Sequence, residues 1–326
     1  MKKAVIITEA HAALGLGHVQ RMLSLAEHLR GRADVAFVTA SEVVVRDRIA
    51  ARGFPVVHAA RGYEPALEAL GSPDAVLVDK LHVEESLAEW VRARTNARLA
   101  IFGNLSEANR HAHAVVNAIL GTRFKNRRRE DPATGTVYLE GPRYAILASE
   151  FLARRNRYEH RGRLRRVLLL FGGADPANLS CRAARRLLES ESEYALTVCA
   201  GPLYAHGAEL ESLAAAVAGR GRTCEVIRNS PAVWDLMLGS DFILTSPGSS
   251  LFEAFCLGVP ALAFFQNESQ AGMFRGFPMT HEQDAVEDAG TLMRRGYDEY
   301  DRYRAVTRGL DVGGGLDEIR AAVWGG

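Results

Sequence analysis

Apolar and polar positions alternate along this chain in two tempos. Short β-prone runs come first: KAVIIT (3–8), VAFVTA (35–40), PVVHAA (55–60), DAVLVDK (74–80) and ARLAIFG (97–103). Between them lie longer amphipathic stretches. In VQRMLSLAEHLR (19–30), Val19, Met22, Leu23, Leu25, Ala26 and Leu29 fall near a 3.6-residue period, which predicts a helix with one buried stripe. SEVVVRDRIAARG (41–53) offers Ser41 as an N-cap and Gly53 as a C′ residue, and ESLAEWVRART (85–95) reads as another helix. Strand, helix, strand, helix at this spacing predicts parallel βαβ units with both sheet faces covered.

The rhythm breaks over residues 121–166, where GTRFKNRRRED and GPRYAILASEFLARRNRYEHRGRLRR are arginine-rich and lack continuous periodicity. This stretch reads as the end of one domain and the connection to the next. Alternation then restarts with RVLLLFGG (166–173), ALTVCAG (195–201), CEVIRN (224–229), DFILTSPG (241–248) and PALAFF (260–265), separated by helical segments such as NLSCRAARRLLE and SLFEAFCLG. The pattern predicts an α/β fold of two doubly wound halves, 1–156 and 157–326, with a cleft between them. Ligands of such sheets sit outside the carboxyl ends of the strands.

Composition narrows the function. The 326 residues carry a formal net charge of +1, which argues against a dedicated nucleic-acid binder. Cys181, Cys199, Cys224 and Cys256 form no C-x-x-C pair and read as buried free thiols of a reducing cytoplasm, so neither disulfides nor a metal site is expected. No apolar stretch is long enough for a membrane span or a signal-peptide core, which leaves at most a weak peripheral membrane contact.

Candidate chemistry clusters at strand-to-helix junctions. GLGHVQR places Gly15, Gly17, His18 and Arg21 after the first strand. A helix start favours a neutral, basic imidazole, the form that removes a proton from water or a sugar hydroxyl; a capping or packing histidine would look the same. FGGADPAN (171–178) follows the restart strand. Gly172 and Gly173 would let backbone approach a phosphate, Asp175 reads as a helix cap, Pro176 as a first-turn residue, and Asn178 as a further polar group. TSPGSSLFE (245–253) is the richest diphosphate candidate, with Ser246, Gly248, Ser249 and Ser250 at another helix start. Glu253 fits either a capping box with Ser250 or a carboxylate that binds ribose. In FFQNESQ (264–270), Asn267 and Gln270 could orient sugar hydroxyls or belong to an ordinary polar loop, and Asp79 is a carboxylate at a strand end.

Taken in order, GLGHVQR, GPRYAILASEF, FGGADPAN and SPGSSLFEAFCLGVPAL resemble the UDP-sugar hydrolases of the pseudaminic acid pathway and their spore-coat polysaccharide relatives, within the GT-B superfamily that includes the peptidoglycan N-acetylglucosaminyltransferase. The resemblance implies two Rossmann-like domains, with the catalytic histidine and acceptor side in the first and the uridine diphosphate in the second. It implies His18 as base for water attack at the anomeric carbon, with inversion, UDP as leaving group and no metal or cofactor. Gly15, Gly17, Arg21, Asp79, Asn267 and Gln270 would serve the substrate. Gly172, Gly173, Asp175, Asn178, Ser246, Gly248, Ser249, Ser250, Glu253 and backbone at Ile227 would serve the nucleotide. The chain departs from the pattern at Thr8 and Glu9, where the family carries arginine-aspartate, and at His11, Asn104 and the spacing of Asn267 from Gln270. Transfer of the sugar to a carbohydrate or small-molecule hydroxyl is therefore the alternative. A non-catalytic nucleotide-sugar binder is the reading from another class.

Overall fold

In the computed structural model, which describes residues 1–10, 15–119, 125–190, 194–218 and 222–325, the chain divides into two compact units. The first runs from the N-terminus to Ser149 and is completed by residues from Gly313 onward; the second is Glu150–Val312. The expected division at 156/157, with the second domain running to 326, differs on both counts. Residues after Glu150 pack with the second unit: the Phe151 and Trp234 rings meet edge to face at 6.0 Å, and Asn156 N donates to the Cys256 carbonyl at 2.8 Å.

The first unit is built from β1 (Lys2–Thr8), α1 (Gly17–Leu29), β2 (Ala33–Thr39), α2 (Val43–Ala50), β3 (Val56–His58), α3 (Tyr63–Ala69), β4 (Ala75–Asp79), α4 (Glu85–Arg94), β5 (Arg98–Phe102), β6 (Ala114–Asn117), β7 (Arg127–Glu130) and β8 (Val137–Glu140). Its sheet order is β3-β2-β1-β4-β5-β6-β8-β7, parallel throughout except for the β7–β8 pair. Alternate residues of β1 enter opposite cores, Ala4 and Ile6 on the α1 side and Val5 and Ile7 on the other. The α1 stripe is buried as its periodicity predicts, from Val19 to Leu29. Each such large aliphatic side chain contributes about 1.5–3 kcal/mol by leaving water.

The second unit comprises α5 (Ser149–Leu152), β9 (Arg166–Leu170), α6 (Leu179–Glu189), β10 (Ala195–Ala200), α7 (Gly207–Ala218), β11 (Cys224–Arg228), α8 (Val233–Gly239), β12 (Phe242–Thr245), α9 (Ser249–Leu257), β13 (Ala261–Phe264), α10 (Glu268–Phe274), β14 (Thr280–His281), α11 (Ala289–Asp298) and α12 (Tyr300–Leu310). Its strands run in the order β11-β10-β9-β12-β13-β14, all parallel. The last helix, α13 (Leu316–Trp324), returns to the first unit. There Ile319 and Val323 join the α1-side core, and the Arg98 guanidinium donates to the Ala322 and Val323 carbonyls at 3.1 Å each.

Both sheets reverse winding direction once. In the first the switch lies between β1 and β4, in the second between β9 and β12. A crevice opens outside the strand ends at such a point. His18 lies at the start of α1, the helix that follows β1, and Asp79 ends β4, while the loops after β9 and β12 carry the two glycine-rich segments. The fold thus selects the same junctions that the sequence motifs mark.

The arginine-rich connection is more structural than its composition suggests. Asp241, 2% exposed, accepts from the backbone N–H groups of Arg165 and Arg166 and from the Arg161 and Arg166 guanidinia. Arg129 pairs with Glu140 at 2.9 Å and lies over the Tyr138 ring. Ser41, expected to cap α2, stands one residue before its N-cap Glu42. Its hydroxyl accepts instead from Ala10 N–H and the Thr39 hydroxyl, at 2.8 Å each. No helix among the described residues is long and apolar enough to cross a membrane.

Candidate active site

His18 occupies the second position of α1, where the N-cap Leu16 supplies no side-chain bond. Gly15 ahead of it adopts φ +77°, a left-handed conformation that glycine takes without strain. Gly17 has no such φ, and a Cβ there would meet nothing within 4 Å. The His18 ring reaches the end of β4, where Nδ1 lies 2.6 Å from Asp79 Oδ1. Arg21, one turn along α1, donates from Nε to Asp79 Oδ2 at 2.7 Å and from Nη2 to Oδ1 at 2.6 Å. The 3.2 Å approach of Arg21 Nη2 to His18 Nδ1 is therefore two donors meeting at one carboxylate oxygen. With Nδ1–H donating to Asp79, the lone pair of Nε2 is left for chemistry.

Asp79 is fully buried, whereas His18 and Arg21 keep 14% and 25% of their side chains exposed. Burial alone would push the Asp79 carboxyl up, but the charges and hydrogen bonds of Arg21 and His18 outweigh it and hold it below the usual carboxylate range. Asp79 thus stays ionised beside the imidazole. Gly103, which follows β5, makes room for this arrangement: at φ +62°, a Cβ there would lie 3.0 Å from Arg21 Nη2. Arg21 and Asp79, expected as substrate contacts, are thus bound to each other and to His18. The buried Thr8 hydroxyl has no partner among the described residues, while Glu9 accepts from Leu81 N–H at 2.9 Å. Asn104 is structural, donating to the Lys80 and Leu81 carbonyls. His11 lies outside the described residues.

In the second unit α9 begins without a side-chain cap. Its N-cap is Gly248 at φ 146°, so the expected capping box between Ser250 and Glu253 does not form. The first N–H groups of α9 are left as donors at the positive end of the helix. Glu253 is half-buried with no hydrogen bond or ion pair among the described residues, and burial pushes its carboxyl up to about 7. The Ser246 hydroxyl lies across from Gly172, 3.9 Å from where a Cβ on that glycine would stand. Ile227 is half-buried on the edge strand β11.

Four other expected nucleotide or sugar contacts are already engaged within the protein. Asp175 accepts from Leu179 and Ser180 N–H at 2.9 and 2.8 Å, but the N-cap of α6 is Asn178, not Asp175, and the helix starts three residues beyond Pro176. Asn178 donates to Glu209 and accepts from the Tyr204 hydroxyl. Asn267 is the N-cap of α10, accepting from Gln270 N–H. The Gln270 amide accepts from Gln266 N–H at 2.8 Å and donates to the Pro247 carbonyl at 3.2 Å.

Motif reading missed Gln266 and Gly201. Gln266, 7% exposed at the end of PALAFFQ, donates to the Phe171 carbonyl at 3.0 Å and accepts from Ala177 N–H at 3.2 Å. A Cβ on Gly201 would stand 2.5 Å from Gly172 O, Gly173 Cα and Gly173 O, so this glycine permits the 172–173 loop to sit where it does. A polar residue within an apolar strand end and a glycine closing ALTVCAG were the available signals. The four cysteines are free, three of them buried, and burial pushes Cys224 and Cys256 up to about 11, as inert packing thiols. Among the described residues, Glu85, Glu89 and His111 have metal-compatible spacing, but the Arg110 guanidinium bonds both Glu85 and the His111 Nε2 atom.

No protein-family model matches the chain. Its relatives include protein MJ1062 of Methanocaldococcus jannaschii, 34% identical over 82% of this chain, and the spore coat polysaccharide biosynthesis protein SpsG of Bacillus subtilis, 27% identical over 85%. The chain spans 56% of the first relative's length and 80% of the second's. Among solved structures, MurG of Acinetobacter baumannii superposes with a TM-score of 0.62 at 14% identity, covering 95% of this chain and 99% of MurG. The Anabaena protein HepE, solved in complex with UDP-glucose, gives 0.57 at 11% identity, covering 98% of this chain and 99% of HepE.

Proposed function

From its GT-B fold and its sequence relationship to a spore coat polysaccharide biosynthesis protein, we propose that this chain is a nucleotide-sugar enzyme of polysaccharide assembly. It moves the sugar of a UDP-sugar onto an acceptor hydroxyl, with inversion. The observation that carries this reading is the His18–Asp79 pair, which fixes the imidazole with Nε2 available as a base. The acceptor oxygen attacks the anomeric carbon, and the bond from that carbon to the diphosphate breaks. The diphosphate departs with the bonding pair, and the hydroxyl proton passes to His18 Nε2. Asp79, ionised and bonded to Nδ1–H, stabilises the imidazolium that forms.

The second unit supplies the donor side. The uncapped N–H groups of α9, together with the Ser246, Ser249 and Ser250 hydroxyls and the Gly172–Gly173 backbone, suit a diphosphate. Glu253 offers a carboxylate, unpartnered among the described residues, for ribose hydroxyls, and backbone at Ile227 suits the base. Gly15 and Gly17 leave space beside His18. Water in place of the acceptor hydroxyl would make the same residues a hydrolase, a reading favoured by the match of GLGHVQR to the UDP-sugar hydrolases.

Incubation with UDP-sugars, with and without carbohydrate acceptors, separates the two. Transfer gives acceptor-dependent UDP release and a glycosylated product. Hydrolysis gives free sugar at the same rate with no acceptor present. In either case His18→Ala should lower kcat by about 10²–10⁴-fold with donor KM little changed. Full activity in that variant would remove the proposed base.

A further inference from the structure

Two carbonyl groups in the second unit are held by side chains from the junction between β13 and α10. The Phe171 carbonyl, at the end of β9, accepts from Gln266 Nε2 at 3.0 Å, and the Pro247 carbonyl, after β12, accepts from Gln270 Nε2 at 3.2 Å. The two glutamines are themselves joined, Gln266 N–H to Gln270 Oε1 at 2.8 Å. Each carbonyl belongs to the peptide immediately before a glycine, Gly172 or Gly248. Across a trans peptide the C=O and the following N–H point in opposite directions. Holding the oxygen therefore aims the glycine N–H the other way. Neither glycine N–H has a hydrogen-bond partner among the described residues. Glycine peptides rotate more freely than others, so these two donors would be the least defined in the loop without such a restraint.

We infer that Gln266 and Gln270 act as positioning residues: each fixes the peptide plane that presents one glycine N–H, of Gly172 or Gly248, to the donor diphosphate. This inference rests on the donor-site reading above. It reassigns Gln270 from a sugar contact to a residue that acts through Pro247, and it gives the buried Gln266 a role that no motif marks. Preorganised backbone donors cost no reorganisation when charge develops on the departing diphosphate. Removing either glutamine amide should therefore weaken phosphate recognition and leave the nucleoside contacts in place.

The test compares UDP with uridine, which lacks both phosphates, by calorimetric titration of the full chain, its Gln266→Leu and Gln270→Leu variants and the double variant. Each single change should weaken UDP binding about tenfold and raise donor KM in parallel, while uridine affinity stays within about twofold. Because Gln270 Oε1 accepts from the backbone N–H of Gln266, which Gln266→Leu keeps, the two losses should be close to additive and the double variant should approach the hundredfold product. Equal losses of UDP and uridine would show general unfolding of the loop and overturn the inference, as would UDP affinity unchanged by either substitution. If Gln266→Leu fails to fold, Gln270→Leu, at a half-buried position, carries the same comparison. Wild-type protein that binds no UDP would overturn the donor-site reading itself, whereas wild-type binding with insensitive variants overturns only the positioning role.

Discussion

Glu253 gives a prediction that can be worked through numerically. Its carboxyl is pushed from an ordinary 4.5 to about 7 by burial, and no cation or hydrogen-bond donor among the described residues offsets that burial. The difference corresponds to about 3 kcal/mol between the charged and neutral forms. The residue as a whole is only half-buried, so residual water lowers this ceiling. Because the folded value is raised, the associated stability is fully present below the unfolded value near 4.5 and is lost as pH rises through about 7. Glu253→Gln removes the titration while keeping the shape. Urea unfolding followed at Trp234, in a Trp90→Phe and Trp324→Phe background, reports on the second unit. Wild type and variant should be equally stable near pH 4.5. By pH 8 the variant should be the more stable by up to about 3 kcal/mol. UDP should narrow the gap at pH 8, because ribose hydroxyls donating to the carboxylate favour its ionised form. Parallel stability curves across this range, or a wild type that gains on the variant as pH rises, would refute the reasoning.

Two other substitutions probe the architecture around the proposed sites. Asp79→Asn leaves the Arg21 guanidinium without its counter-charge and should cost about 3–5 kcal/mol in unfolding experiments on the first unit, with activity lost as His18 loses its anchor. Since the Asp79 carboxyl is held below its ordinary range, the wild-type advantage should be complete near neutral pH and fade on acidification; an advantage that persists undiminished at pH 2 would contradict the pairing. Gly201→Ala puts a Cβ 2.5 Å from Gly172 and Gly173 atoms, so the loop must move. We expect about 1–3 kcal/mol of destabilisation and a higher donor KM, and unchanged donor kinetics would show that the loop's position is immaterial to binding.

Much of this molecule was legible in its sequence because both sheets are parallel apart from the β7–β8 pair. Strands buried on both faces carry continuous apolar runs, as AVII of β1, AVLV of β4, VLLL of β9 and FIL of β12 do. The β7–β8 pair and β14 were less visible, since RRRE and a two-residue strand carry no such signature. His18 is a candidate from GLGHVQR and Asp79 from its place at a strand end, but their pairing is not written in either motif. Asp79 lies 61 residues away, and only the β1–β4 switch brings the two together. Polar residues in the second unit misled for the converse reason. Asn178, Asn267 and Gln270 have the chemistry of ligand contacts, yet Asn178 is held by the Glu209 and Tyr204 side chains, and Asn267 and Gln270 satisfy backbone groups of the segments that leave the sheet. Glu253 went the other way: the glycine N-cap of α9 removes the capping role that its spacing suggested.

The return of α13 to the first unit has a consequence for how the chain is made. Ile319 and Val323 belong to the same core as Ala4 and Ile6, and Arg98 is bonded to carbonyls of that last helix. A ribosome therefore releases every strand of the first sheet well before the helix that finishes its packing, while the second unit emerges whole in between. Order of synthesis and order of completion are inverted: the unit that begins first is closed last. Any cut that severs residues after Val312 would strike the domain whose sequence lies farthest from it.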